Sequence, residues 1–252
     1  ITLLTTLSVS AISTNTQVRG GGAYFMNSRE LGAEFGGAIG LALFCAQALS
    51  VPFYVLGFTE AVVRNYSGAT PYFLPIALAS AGLLFVVAYV GASWAIKTQF
   101  LIMIVLGLAI FVVLGGAVTH LSWDQFSENW SPGYSLLDPT QPEGGRYTFW
   151  MIFAIYFPAV TGILAGGNMS GDLRDPARSI PAGTLAAIGL SAVIYFILAA
   201  LIGGAFPRAL LIDKPYDVLK DNALFGLGEL VAAGVFAASL SSALGSYLGA
   251  PR

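Results

Sequence analysis

Apolar residues along this chain come in long unbroken runs. They show neither the alternation of a half-buried strand nor the one-sided stripe of a soluble helix. Seven such stretches fall at about residues 1–13, 36–63, 72–90, 100–118, 149–167, 183–205 and 224–248, split by polar connections. All but the first match the roughly 20 residues with which a helix crosses a bilayer. Helix is the forced choice there, because each unpaired backbone group in hydrocarbon costs several kcal/mol. The first stretch, ITLLTTLSVSAIS, is too short to span and lacks the basic flank of a signal peptide, so it reads as a helix cut within its span. The pattern predicts an all-α integral membrane unit, residues 1–252 forming one transmembrane domain, with a partial first span and a broken fifth.

Composition narrows the solvent. Of 252 residues, 56% are hydrophobic and 10% charged, against about 25% charged in soluble domains. Too few polar residues exist to cover such a core, so the lipid bilayer is the expected partner. The net charge of -2 comes without a basic stripe, which excludes nucleic acid. Cys45 is the single cysteine and His120 the single histidine, so no internal disulfide is available and a zinc site has no ligand set. Gly91-Ala92-Ser93-Trp94 imitates a serine-nucleophile motif. Its only base would be His120, roughly a full helix of about 30 Å away, beyond the reach a catalytic dyad needs. No enzymatic activity is expected.

The connections give little orientation. One side carries the loops at about 120–148, with Asp124, Glu128, Asp138 and Glu143, and at about 206–223, with Asp213, Asp217 and Asp221. Six basic residues (Arg19, Arg29, Lys97, Arg174, Arg178, Arg252) face five on that acidic side (Arg64, Arg146, Arg208, Lys214, Lys220), too even for a positive-inside argument. The sequons at Asn65 and Asn129 both fall on the acidic side and give weak support for its being external.

The fifth stretch, FWMIFAIYFPAVTGILAGGNMSGDLRDP, carries the most chemistry. Pro158 has no N–H, so the Ala154 carbonyl loses its helical donor. Thr161, Gly162 and Gly166-Gly167 follow closely and weaken the helix further. A break there frees carbonyls at Ala154 and Pro158 for a cation. It also frees the N–H groups of Gly162, Ile163 and Leu164, at the start of a second half-helix, for an anion. Discontinuous helices of this kind hold the sites of transporters, although a plain proline kink packed by neighbours would look the same in sequence. The following GDLRDPARSIPAG, with Asp172, Arg174, Asp175 and Arg178, is a polar interhelix loop or a hinge. Gly20-Gly21-Gly22 follows no strand and precedes no Lys-Ser/Thr pair, so it serves close packing, not phosphate.

Three further positions stand out. Tyr54 lies mid-span beside Pro52, and its hydroxyl needs a carbonyl or a bound cation. Glu60 is one turn before Arg64, which suggests an i,i+4 ion pair or, at membrane depth, a gate. Ser241 and Ser242 place two hydroxyls in an apolar helix, either bonded back to i−4 carbonyls or open to a small hard cation.

Three stretches together, ISTNTQVRGGGAYFMNSRELGAEFGGAIGL, IYFPAVTGILAGGNMSGDLRDPARSIPAGTLAAI and FAASLSSALGSYLGAPR, resemble the cation–chloride cotransporter family. That family lies within the amino acid–polyamine–organocation superfamily. The resemblance implies an inverted five-helix-repeat (LeuT-like) transporter core, truncated here to transmembrane helices 2 to 8 of twelve. It implies a potassium site at Tyr54, Pro158 and Thr161. A chloride site would use the backbone of Gly162, Ile163 and Leu164. A sodium site would use the Ala238 carbonyl with the Ser241 and Ser242 hydroxyls, and Glu60 would serve the extracellular gate. Helix 1 of the family would complete these cages. By the resemblance the cargo is sodium, potassium and chloride, moved inward across the plasma membrane. No cofactor is implied, and no metal beyond the transported alkali cations. A homodimer would form through regions outside this chain. Because the serine pair and the tyrosine both stand, the sodium–potassium–chloride type fits best. MNSRELGAEFGG departs from the family's usual LISRSLGPEFGG, which leaves the ion stoichiometry open. The alternatives are an amino acid or polyamine permease of the same fold and a non-transporting relative.

Overall fold

The computed structural model describes residues 1–15, 21–131, 133–136, 145–160, 162–168 and 170–250. Arg19, Gly20, Asp138, Glu143, Thr161 and Arg252 from the sequence reading lie outside them. The described helices, in chain order, are α1 (Thr2–Asn15), α2 (Gly22–Leu31), α3 (Ala33–Asn65), α4 (Phe73–Val90), α5 (Ala92–Thr119) and α6 (Trp123–Trp130). They continue as α7 (Phe149–Tyr156), α8 (Ala165–Asn168), α9 (Pro176–Ala205), α10 (Arg208–Asp213), α11 (Pro215–Asp221) and α12 (Gly228–Gly249). Among the described residues there is no β-strand; an isolated antiparallel bridge pairs Leu136 with Arg146.

Among the described residues, five helices are long and apolar enough to cross a membrane: α3, α4 with the turn before it, α5, α9 and α12. Their outer faces are apolar. Leu41, Phe44, Leu49 and Phe53 on α3 are exposed, as are Leu190, Val193 and Phe196 on α9. Exposing such side chains to water would cost about 25 cal/mol per Å², whereas hydrocarbon accepts them freely. This is an integral membrane protein.

Local chemistry moves several helix starts away from the edges of the apolar runs. α5 begins at Ala92, not near residue 100, because Gly91 turns the chain at φ +127° and Lys97, Thr98 and Gln99 continue the helix. α9 begins at Pro176, not 183: the Asp175 carboxylate accepts from the Arg178 N–H at 3.3 Å, and Pro176 occupies a first-turn position whose N–H would go unbonded. α12 begins at Gly228, not 224, because Leu224–Gly226 form a 3-10 turn with Phe225 at φ 58°. The short helices α2, α6, α10 and α11 fall in segments whose polarity suggested only connections.

Helix α12 is the hub, packing against α3, α4 and α5. Ala243 and Leu244 are fully buried among Val55, Ala77, Leu84 and Ala95. Lipid tails are as apolar as leucine, so close van der Waals packing of small residues drives this association. A Cβ on Gly234 would collide with the Ala109 Cβ, which shows how tightly α12 meets α5. Elsewhere α1 packs on α9 and α2 on α3.

At one end, polar side chains tie the connections together. The Lys220 ammonium pairs with Glu229 at 2.8 Å, and the Tyr66 hydroxyl donates to the same carboxylate at 3.1 Å. Asn65 Oδ1 accepts from the Tyr216 hydroxyl at 2.8 Å and from Lys220 Nζ at 3.0 Å. The Glu229 carboxylate holds the Lys220 ammonium above the ordinary lysine value and raises the Tyr66 hydroxyl as well. The Arg64 guanidinium lies 5.5 Å over the Tyr216 ring. The expected Glu60–Arg64 ion pair is therefore not formed, since a ring from a distant element takes the guanidinium. Asn129 donates to the Gly203 and Phe206 carbonyls at 2.6 and 2.8 Å. Both sequon asparagines are thus engaged in packing loops onto helices.

Candidate functional site

The site is built around the interrupted fifth stretch. Thr148 opens α7 by accepting from the Met151 N–H at 3.3 Å, and α7 ends at Tyr156. Pro158 cannot donate to Ala154, and the chain tightens into a 3-10 turn over Phe157–Val160. Gly162 then takes φ +96°, a left-handed conformation that glycine adopts without a Cβ penalty. The helix resumes only at α8, where the Asn168 N–H returns to the Leu164 carbonyl at 2.8 Å. The i→i−4 ladder is therefore broken where Pro158 and Gly162 suggested.

A partner for one freed carbonyl comes from outside the segment. The Tyr195 hydroxyl, on α9, donates to the Ala159 carbonyl at 2.9 Å. Sequence reasoning passed over Tyr195. The available signal was a phenol inside an apolar span, SAVIYFILAA, where a hydroxyl without a partner is costly.

A cavity of about 940 Å³ lies beside the break. It gathers Tyr54 from α3, Gly162, Ile163 and Leu164 from the break, and Ser241 and Ser242 from α12. Members of all three expected ion sites thus line one space. A second cavity of about 430 Å³ lies toward α9, and Gly162, Ile163 and Gly166 line both. Among the described residues lining the larger cavity, none has a carboxylate, ammonium or guanidinium side chain. A cation there would rest on hydroxyl and carbonyl oxygens, and an anion on N–H dipoles.

The other expected residues sit apart. Pro158 belongs to the 3-10 turn. Ala238 is half-buried on α12 and does not line the cavity. Glu60 is exposed on α3, about 9 Å along the helix axis from Tyr54 at 1.5 Å per residue. Tyr54 packs against the α12 core cluster, its ring edge-on to Phe53 at 5.5 Å between centroids.

Two glutamines that drew no attention in the sequence also line the cavity, Gln47 from α3 and Gln99 from α5. Gln99 Nε2 donates to the Ser241 carbonyl at 3.1 Å, and the Ser241 hydroxyl donates to Gln99 Oε1. Gln99 escapes a reading of the sequence because the apolar run starts at about residue 100, which places it in a connection.

Comparison with known proteins adds the family context. The model of a family described as amino acid permease matches residues 1–252. Solute carrier family 12 member 2 of Mus musculus is 34% identical over 304 aligned positions, covering 100% of this chain and 24% of that protein. Solute carrier family 12 member 1 of Homo sapiens is also 34% identical, with 100% and 27% covered. Solute carrier family 12 member 9 of Danio rerio is 36% identical over 287 positions, with 99% and 32% covered. The chain spans about a quarter to a third of the length of these relatives.

Proposed function

The chain belongs to the amino acid permease family, and from that premise we propose that it forms the core of a secondary active transporter. In this reading it couples inward movement of sodium and/or potassium to chloride across the plasma membrane. The observation that carries the proposal is the shared cavity at the broken helix, lined by Tyr54, by Gly162, Ile163 and Leu164, and by Ser241 and Ser242. The similarity to solute carrier family 12 supports it and agrees with the cation–chloride cotransporter resemblance of the three sequence stretches.

Each ion has matching chemistry. Tyr54, Pro158 and Thr161 supply oxygens for potassium. The amides of Gly162, Ile163 and Leu164 open the second half-helix, where the dipole favours chloride. The Ala238 carbonyl and the two serine hydroxyls suit sodium, a smaller and harder cation. Glu60 serves as a gate at the outer end of α3. Tyr195, by holding the Ala159 carbonyl, keeps one end of the break in place.

The test is rubidium uptake by the full-length protein in proteoliposomes. Uptake that requires chloride and rises with sodium supports the proposal. Uptake of an amino acid or polyamine that ignores chloride would instead establish a permease of the same fold.

A further inference from the structure

Ser241 bonds differently from Ser50, Ser239 and Ser246. Serines inside these helices commonly donate back to the carbonyl one turn earlier: Ser50 to Ala46 at 2.7 Å, Ser239 to Val235 at 3.0 Å, Ser246 to Ser242 at 3.0 Å. Back-bonding of this kind folds the hydroxyl against its own helix. The Ser241 hydroxyl instead reaches across to α5 and donates to Gln99 Oε1. The direction of that bond is set by the second contact. A main-chain carbonyl can only accept, so the amide nitrogen of Gln99 must face the Ser241 carbonyl, which it does at 3.1 Å. The amide oxygen then has to face the hydroxyl, and the hydroxyl has to donate.

A hydroxyl has one proton and two lone pairs. With its proton committed to Gln99, Ser241 Oγ keeps both lone pairs for another partner, beside the cavity that Gln99, Ser241 and Ser242 line together. We propose that Gln99 is a positioning residue for sodium: it holds the Ser241 hydroxyl away from its own helix, with its lone pairs free for a bound cation. Gln99 acts through Ser241, and its two-point grip also joins α5 to α12 at the site. This inference rests on the sodium assignment of Ser241 made above and goes beyond it by naming the residue that makes that hydroxyl a competent ligand.

The test uses the full-length protein in proteoliposomes, with the reconstituted amount of each variant measured. Half-saturation of rubidium uptake is determined separately for sodium, rubidium and chloride. Gln99→Leu, similar in volume and unable to make either bond, raises the sodium half-saturation about tenfold, equivalent to about 1.4 kcal/mol. Half-saturation for rubidium and chloride stays within about twofold, a distinction that general misfolding would not produce. Gln99→Glu keeps an acceptor for the serine proton and restores sodium dependence to within about threefold of the parent, a change below about 0.7 kcal/mol. In a Ser241→Ala background, Gln99→Leu adds no further sodium defect, as expected for residues acting as a unit. The proposal is overturned if Gln99→Leu keeps the parent's sodium half-saturation, if all three ions shift together, or if the two substitutions add. A parent protein with no sodium dependence at all would instead remove the sodium assignment itself.

Discussion

Gly162 is the residue on which the broken helix most directly depends, and Gly162→Ala isolates its backbone role. A Cβ built at this position meets no atom of the described residues within 4 Å, so an alanine causes no clash with them. Its cost is conformational. At φ +96° an L-residue suffers the contact between Cβ and the following carbonyl oxygen, worth about 1–2 kcal/mol. The angle lies well beyond the left-handed well near about +57°, which puts the cost toward the upper end. The chain must bear that strain or swing back to negative φ, which rotates the following peptide and turns the Ile163 N–H away from its present direction. Since about 1.4 kcal/mol is tenfold in an equilibrium, the chloride half-saturation rises roughly 5–30-fold. Chloride dependence of rubidium uptake by the full-length protein in proteoliposomes reads this directly. Gly189→Ala on α9 is the control, being exposed, helical and equally free of close atoms; it gains up to about 1 kcal/mol of helix propensity and leaves chloride dependence alone. If Gly162→Ala transports with the parent's chloride dependence, or Gly189→Ala loses as much, the backbone of the break does not hold the anion.

Three other outcomes follow from named contacts. Tyr54→Phe raises the rubidium half-saturation about tenfold or more, as for loss of a polar contact to a charge worth about 1.5–3 kcal/mol, and leaves chloride unchanged; an unaltered rubidium curve removes Tyr54 from the cation site. Gly234→Ala drives its methyl into the Ala109 methyl, so α12 must move off α5, and overpacking of about 1–3 kcal/mol lowers the thermal midpoint of the purified full-length protein; an unchanged midpoint would show the α5–α12 contact to be looser than described. Lys220→Met lowers that midpoint slightly at neutral pH by removing the bonds to Glu229 and Asn65. Because Glu229 raises the Lys220 value, the bonds' contribution is fully present below the unfolded lysine value of about 10.4 and is lost as pH rises through the higher folded value. The difference between parent and variant is therefore flat from about pH 6 to 9, and a collapse near neutrality would contradict the assignment.

What could be read from the chain alone follows a physical division. In hydrocarbon, length and apolarity nearly decide the structure, because a backbone that cannot bond to water must bond to itself; α3, α4, α5, α9 and α12 were visible for that reason. The break was visible too, since a missing N–H at Pro158 and a missing Cβ at Gly162 act on the chain within one turn of themselves. The residues that escaped notice are those whose partners come from another helix. Gln99 meets Ser241 only because α5 and α12 pack closely around Gly234, and Arg64 abandons Glu60 for a ring on α11 by the same kind of long-range competition. Tyr195 belongs with them, because its carbonyl partner at Ala159 becomes free only when a separate segment breaks. A helix break of this kind can therefore be located from local chemistry. The side chains that bond across to it and beside it cannot, because their hydrogen bonds are settled only when the helices meet. Ser241 illustrates both halves: its place in the apolar helix marks it as a candidate, and only Gln99, on a different helix, distinguishes it from the serines that bond back to their own.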